Sequence, residues 1–172
     1  TEGASLINRF AQHPDRMLAS SAAAVLIAEN RRRESATHYS ADLPADLKCR
    51  LVWWVTAALR ERIVLAEEAA SLLDRILAEG PRRSLAAHYE GDRLQVGGLR
   101  FAAALDAGPL DLAGSLVEAL GDRRAAVFAA LLAHALTTSY EAARELVLDP
   151  AAERLCLALR SLDLGRETIA LV

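Results

Sequence analysis

The chain has 172 residues, a net charge of −3 and a pI near 5.8, with 53% hydrophobic and only 5% aromatic residues. That length permits one good-sized core, while the charge balance excludes the large basic field that gathers phosphate backbones. Most of the hydrophobic share is Ala and Leu, which lose little rotamer freedom in a helix, and a sheet protein would need more β-branched and aromatic residues. Composition therefore points to an all-α fold.

Turn chemistry punctuates the apolar segments. Pro14-Asp15 precedes an apolar run from Met17 to Ala28, ended by Asn30 and Arg31-Arg32-Arg33. Asp42-Leu43-Pro44 opens a helix running to about Arg62, and Glu67-Glu68 opens another with acidic charge at the favourable end. Gly80-Pro81 predicts its stop, followed by a short segment from Ser84 to Glu90. Asp92 reads as the N-cap of a segment ending at Ala107 before Gly108-Pro109. Gly97-Gly98 inside that segment means either that the helix begins after Gly98 or that the pair permits close backbone contact.

A helix from Leu110 to Leu120 ends at Gly121, and Asp122 is expected to cap the next, to about Ala135. Thr138-Ser139-Tyr140-Glu141 has the form of a capping box between Thr138 and Glu141. Asp149-Pro150 fits an N-cap followed by a proline at the first helical position, and Gly165 ends that helix near Leu164. The apolar end, Ile169-Ala170-Leu171-Val172, predicts a docked tail or a chain that continues. The sum is about nine helices with short loops, which force neighbours antiparallel: a single domain over 1–172, built as an α-solenoid-like stack. Gly91-Asp92-Arg93 recurs as Gly121-Asp122-Arg123, near the period of helix-pair repeats, although Gly-Asp is also plain stop-start chemistry.

From Leu116-Val117-Glu118-Ala119-Leu120-Gly121-Asp122 through Phe128-Ala129-Ala130-Leu131 and Ala143-Arg144-Glu145-Leu146 to Asp149-Pro150, the chain resembles the bacterial domain-of-unknown-function family 2336. Leu43-Pro44, Leu51 and Ala57-Ala58-Leu59-Arg60 fit the same pattern. The resemblance covers most of the chain from about residue 15. It implies a helical, HEAT-like bacterial protein with a regulatory or scaffolding role, and it brings no catalytic residues.

Chemistry-bearing motifs are absent. Cys49 and Cys156 lie far apart in helical patterns and read as buried, reduced thiols. His13, His38, His88 and His134 show no metal-ligand spacing, and Glu34 and His38 are merely four apart. No phosphate-binding glycine loop or nucleophile elbow occurs. The expectation is therefore no enzyme, no cofactor and no metal. His134-Ala135-Leu136-Thr137 resembles the phosphoacceptor helix of sensor histidine kinases, but lacks the acidic residue after the His and the Pro after the Thr. A partly buried His near a helix C-terminus explains it more simply. Arg31-Arg32-Arg33, Arg82-Arg83 and Arg123-Arg124 would suit nucleic acid only if they converged; Lys48 is the sole lysine.

Trp53-Trp54 is the unusual feature. On a helical wheel Leu47, Leu51, Val55, Ala58 and Arg62 form a stripe with Trp54 on its flank as expected core. Trp53 points away from it, beside Arg60, either filling a second interface or standing exposed as a binding anchor. Trp53, Arg60, Arg31, Arg32 and Arg33 are the candidate interaction surface for a protein partner or self-association. The absence of a basic-then-apolar leader and of an apolar run of about 20 residues gives an expectation of a cytoplasmic protein without membrane contact.

Overall fold

A computed structural model describes residues 5–33, 42–63, 67–106 and 111–172. Among them are ten α-helices, one short 3-10 turn and no strand. The helices are α1 (Leu6–Ala11), α2 (Arg16–Arg33), α3 (Ala45–Arg62), α4 (Glu67–Ala86), α5 (Leu94–Asp106), α6 (Leu112–Gly121), α7 (Ala125–Ala135), α8 (Tyr140–Leu148), α9 (Glu153–Ser161) and α10 (Arg166–Leu171). The 3-10 turn is Glu90–Asp92. Glu34, His38 and the Gly108-Pro109 stop lie outside the described residues. The described chain divides into two compact units, one comprising 1–30 with 94–172 and the other 31–93.

The first unit carries the hydrophobic core. Helix α7 is buried continuously from Val127 to Ala133, as an all-round apolar helix must be. Around it pack α5, α6 and α8, with α9 against α8 and α10 against α6 and α9. Sequence neighbours from α6 to α9 thus stack on one another, the arrangement that short loops favour. Leu6, Ile7 and Phe10 of α1, Val25 of α2 and Phe101 of α5 complete the core, where Phe10 meets Phe101 edge-on at 5.5 Å.

Gly97 and Gly98 both lie inside α5 because other helices approach there. A Cβ on Gly98 would stand 3.0 Å from Ala130 Cβ, and one on Gly97 would stand 3.6 Å from Val25. Close contact, not a late helix start, accounts for the pair. Arg124 and Glu29 form an ion pair with side chains only 10% and 12% exposed. The apolar tail docks, since Ile169 and Val172 pack on the core.

Several expected caps fall elsewhere. Asp122 does not cap α7; its Oδ2 accepts the Leu6 amide at 2.7 Å, satisfying the first turn of α1. In the 138–141 segment the cap is Ser139, whose Oγ accepts from the Ala142 amide at 3.1 Å, while the Glu141 carboxylate accepts from Gln95. Asp149 does bind a nearby amide, that of Ala151 at 3.0 Å, but this builds a turn and α9 starts only at Glu153. Gly165 precedes α10 and does not terminate α9, which ends at Ser161.

Helices α6, α7, α8 and α9 are followed by non-glycine residues with left-handed backbone: Arg123, Thr137, Ala152 and Asp163, at φ of 51–56°. At the first two, the next amide bonds back to the last turn: Arg124 N–H to Ala119 O, and Thr138 N–H to Ala133 O, each at 2.9 Å. This is the bond of a helix-terminating Schellman turn.

The second unit is an α3–α4 helix pair with the 3-10 turn. Gly80-Pro81 does not end α4, which runs on to Ala86 with Pro81 inside it and buried. Proline removes the amide that would bond the carbonyl four residues back, yet local propensity is overridden here. Among the described residues of 31–93, only Lys48 and Pro81 are buried.

A candidate interaction surface on the helical hairpin

The base of the hairpin is a polar clip. The Glu90 carboxylate accepts from Arg93 at 3.0 Å and from the Ala45 amide at 2.5 Å, the first amide of α3. Arg93 holds its carboxyl below the usual carboxylate value, helped by the Ala45 amide and His88. Lys48, only 7% exposed, sets Nζ 3.4 Å from His88 Nδ1. His88 Nε2 lies 3.6 Å from Glu90, beyond hydrogen-bond reach. His88 thus lies between the Lys48 ammonium and the Glu90 carboxylate. Arg31 pairs with Asp92 at 2.5 Å and Arg32 approaches Asp42 at 3.5 Å. Two of the three clustered arginines are therefore committed to closing the unit, and Arg33 is exposed. Sequence reading missed Lys48 and His88 here; the signal was a lone lysine among apolar residues of a helix.

Along the hairpin the two tryptophans differ from expectation. Trp53 lines a shallow groove with Thr56, Ala57 and Arg60 of α3 and Asp74, Leu77 and Ala78 of α4, and is 41% exposed. Arg60 forms an ion pair with Asp74 across this seam. The small and polar face of α3, not its apolar stripe, thus meets α4. Trp54 is not core: it is 69% exposed. Leu47, Leu51, Val55 and Leu59 are exposed with it, and so are Leu72 and Ile76 on α4. The wheel placed the stripe correctly, but no described part of the chain covers it. Cys49 is likewise exposed rather than buried, as is Cys156 on α9, and both thiols are free.

A second place of interest lies in the first unit. His134, in the last turn of α7, sets Nε2 3.2 Å from Asp106 Oδ2 at the end of α5, with both side chains exposed. Leu105, Leu112, Leu131 and Leu162 line a cavity of about 210 Å³ beside them. The imidazole is thus exposed next to a carboxylate rather than buried among Leu and Ala. Arg83 pairs with Glu79 on α4, and Arg124 is taken by Glu29. Among the described residues no group of three His, Cys, Asp or Glu could hold a metal ion, and no helix is long and apolar enough to cross a membrane.

Comparison with models of protein families, with characterised proteins and with solved structures gave no match. The all-α class rests on the helices themselves.

Proposed function

We propose that this chain is a protein-interaction module of a cytoplasmic regulatory or scaffolding protein, whose docking surface is the α3–α4 hairpin. One observation carries the reading: eight large apolar side chains, from Leu47 to Ile76, stand exposed on a unit that buries no hydrophobic residue other than Pro81 among its described residues. Isolated exposed leucines need no explanation, but a contiguous apolar face on paired helices marks an association site. A helix pair also gains too little from its own contacts to offset the entropy of ordering it. Arg31, Arg32 and Arg83 are engaged by carboxylates, which favours a polypeptide over a nucleic acid. A role shared with the bacterial domain-of-unknown-function family 2336 is compatible with this.

The test is an affinity capture with the purified chain as bait, run beside the Leu51→Glu/Trp54→Glu variant. A polypeptide bound by the native chain and lost in the variant supports the reading. Equal capture by both, with both folded, overturns it.

A second reading has its own observation, the exposed His134–Asp106 pair. In a phosphotransfer module the carboxylate would hold the imidazole orientation while the free ring nitrogen attacks the phosphorus of acetyl phosphate, forming an N–P bond as the P–O bond breaks and acetate leaves. Acid-labile phosphate formed from acetyl phosphate, and absent in His134→Gln, would support it.

A further inference from the structure

We infer that the cavity beside His134 in the first unit binds a small organic cation, a primary amine carrying one ring or a short branched chain. The site lies apart from the hairpin and does not rest on the docking reading. It is an alternative to phosphotransfer as the use of the His134–Asp106 pair.

The first ground is the cavity itself. Protein interiors leave few voids larger than a water molecule, yet about 210 Å³ stands open here. Its inner wall is Ala102, Leu105 and Leu131, all buried in the core. Leu112 and Leu162, partly buried, add to the apolar lining. None of these side chains offers water a hydrogen bond. An apolar cavity of about 150 Å³ takes a benzene ring, so this one has room for a ring and a short arm. Apolar walls with a few polar groups at one place are the usual form of a small-ligand site.

The second ground is the sign of the charge at the open end. Asp106 and His134, with side chains 76% and 37% exposed, are the polar side chains of the lining, and no described arginine or lysine joins them. His134 Nε2 stands 3.2 Å from Asp106 Oδ2. A carboxylate has about four acceptor sites, so one imidazole leaves most of them for a ligand.

The third ground is the backbone field. Asp106 and Ala135 are the last residues of α5 and α7, and Leu162 directly follows α9. Three helices thus end at this cavity, and the partial negative charge of a helix C-terminus favours a cation. Helix α6 begins here at Leu112, but the Asp111 carboxylate already accepts from its Ala113 and Gly114 amides. The positive end of that helix is therefore answered within the chain. Carboxylate and helix ends together select a cation over an anion of the same shape. The ammonium of an amine, with three donors, sits at Asp106 while its hydrocarbon body enters between the leucines.

The experiment is a ligand-observed NMR titration of the full chain with 2-phenylethylamine, its neutral analogue 2-phenylethanol and the anion phenylacetate. The amine should bind once per chain with a submillimolar Kd, and the other two at least tenfold more weakly. Asp106→Asn, at an exposed position, should lower the amine to the affinity of the alcohol and leave the alcohol unchanged. Ala135→Leu, which fills part of the cavity, should weaken both at least tenfold with helical circular dichroism retained. An amine that does not bind at about 5 mM, or phenylacetate binding as tightly, overturns the inference. So does an amine affinity unchanged in Asp106→Asn, a result that stands even if Ala135→Leu fails to fold. Equal binding by the folded Ala135→Leu chain places the probe elsewhere and overturns it too.

Discussion

Glu29→Ala tests whether the Glu29–Arg124 contact belongs to the core of the first unit or to its surface. Exposed ion pairs contribute roughly 0–1 kcal/mol because water screens them and ordering two long side chains costs entropy. Here the side chains are only 10% and 12% exposed, so water cannot resolvate the guanidinium that the substitution strands. Among the described residues its remaining hydrogen-bond partner is Ser5 Oγ at 3.4 Å, a weak substitute. Breaking a buried pair from one side costs about 3 kcal/mol or more. With a denaturant slope of about 1.5 kcal/mol/M, that lowers the urea midpoint of the first unit by about 2 M. Replacing both partners, as Glu29→Leu with Arg124→Met, removes the stranded charge and should cost about 1 kcal/mol or less. Circular dichroism through urea titration, run as a double-mutant cycle, measures all four states. Loss of under 1 kcal/mol in Glu29→Ala, or a double variant as unstable as the two single losses combined, would refute the claim that burial dominates this contact.

Two further outcomes follow from local geometry. Thr137 is β-branched and left-handed at φ 51°, a conformation glycine adopts without the Cβ clash, so Thr137→Gly should stabilise by about 1 kcal/mol despite its larger unfolded-state entropy. A thermal melt shows this as a midpoint raised by several degrees, and a lowered midpoint would contradict it. The Glu90 carboxyl, held down first by Arg93 and then by the Ala45 amide, is depressed from 4.5. The clip is therefore fully present above pH 4.5 and is lost as pH falls through the lower folded value. Tryptophan emission should change in that acid window in the native chain and not in Glu90→Gln; identical acid titrations would rule the clip out.

The existence and class of most helices could be read from the sequence, because Ala/Leu content and turn chemistry agree along most of the chain. Where reading failed, the reason is specific. Asp122 looked like a cap for its own helix because it precedes it, but the orphan amide it serves is Leu6, 116 residues away. The stop after α6 was read from Gly121 and no stop residue was read after α7, whereas the left-handed residues are Arg123 and Thr137, and nothing in a threonine announces positive φ. Pro81 was read as a stop because helix rules consider only the backbone it breaks. At the hairpin the wheel separated the stripe of Leu47, Leu51 and Val55 from Trp53, but it has no means of telling which face has a neighbour. Trp54 was therefore assigned to a core that no described part of the chain builds around it. Lys48 and His88 come together across 40 residues, a separation no motif encodes.

The first unit is interrupted after Asn30 and resumes at Leu94, while Arg31 and Asp92, at the two ends of the intervening segment, are bonded at 2.5 Å. The hairpin is thus an excursion whose entry and exit are pinned together. Pinning the two ends of such a segment makes its length a small entropic matter, since loop closure costs grow only slowly with length. On the docking reading proposed above, partner choice would reside in the excursion and folding in the interior.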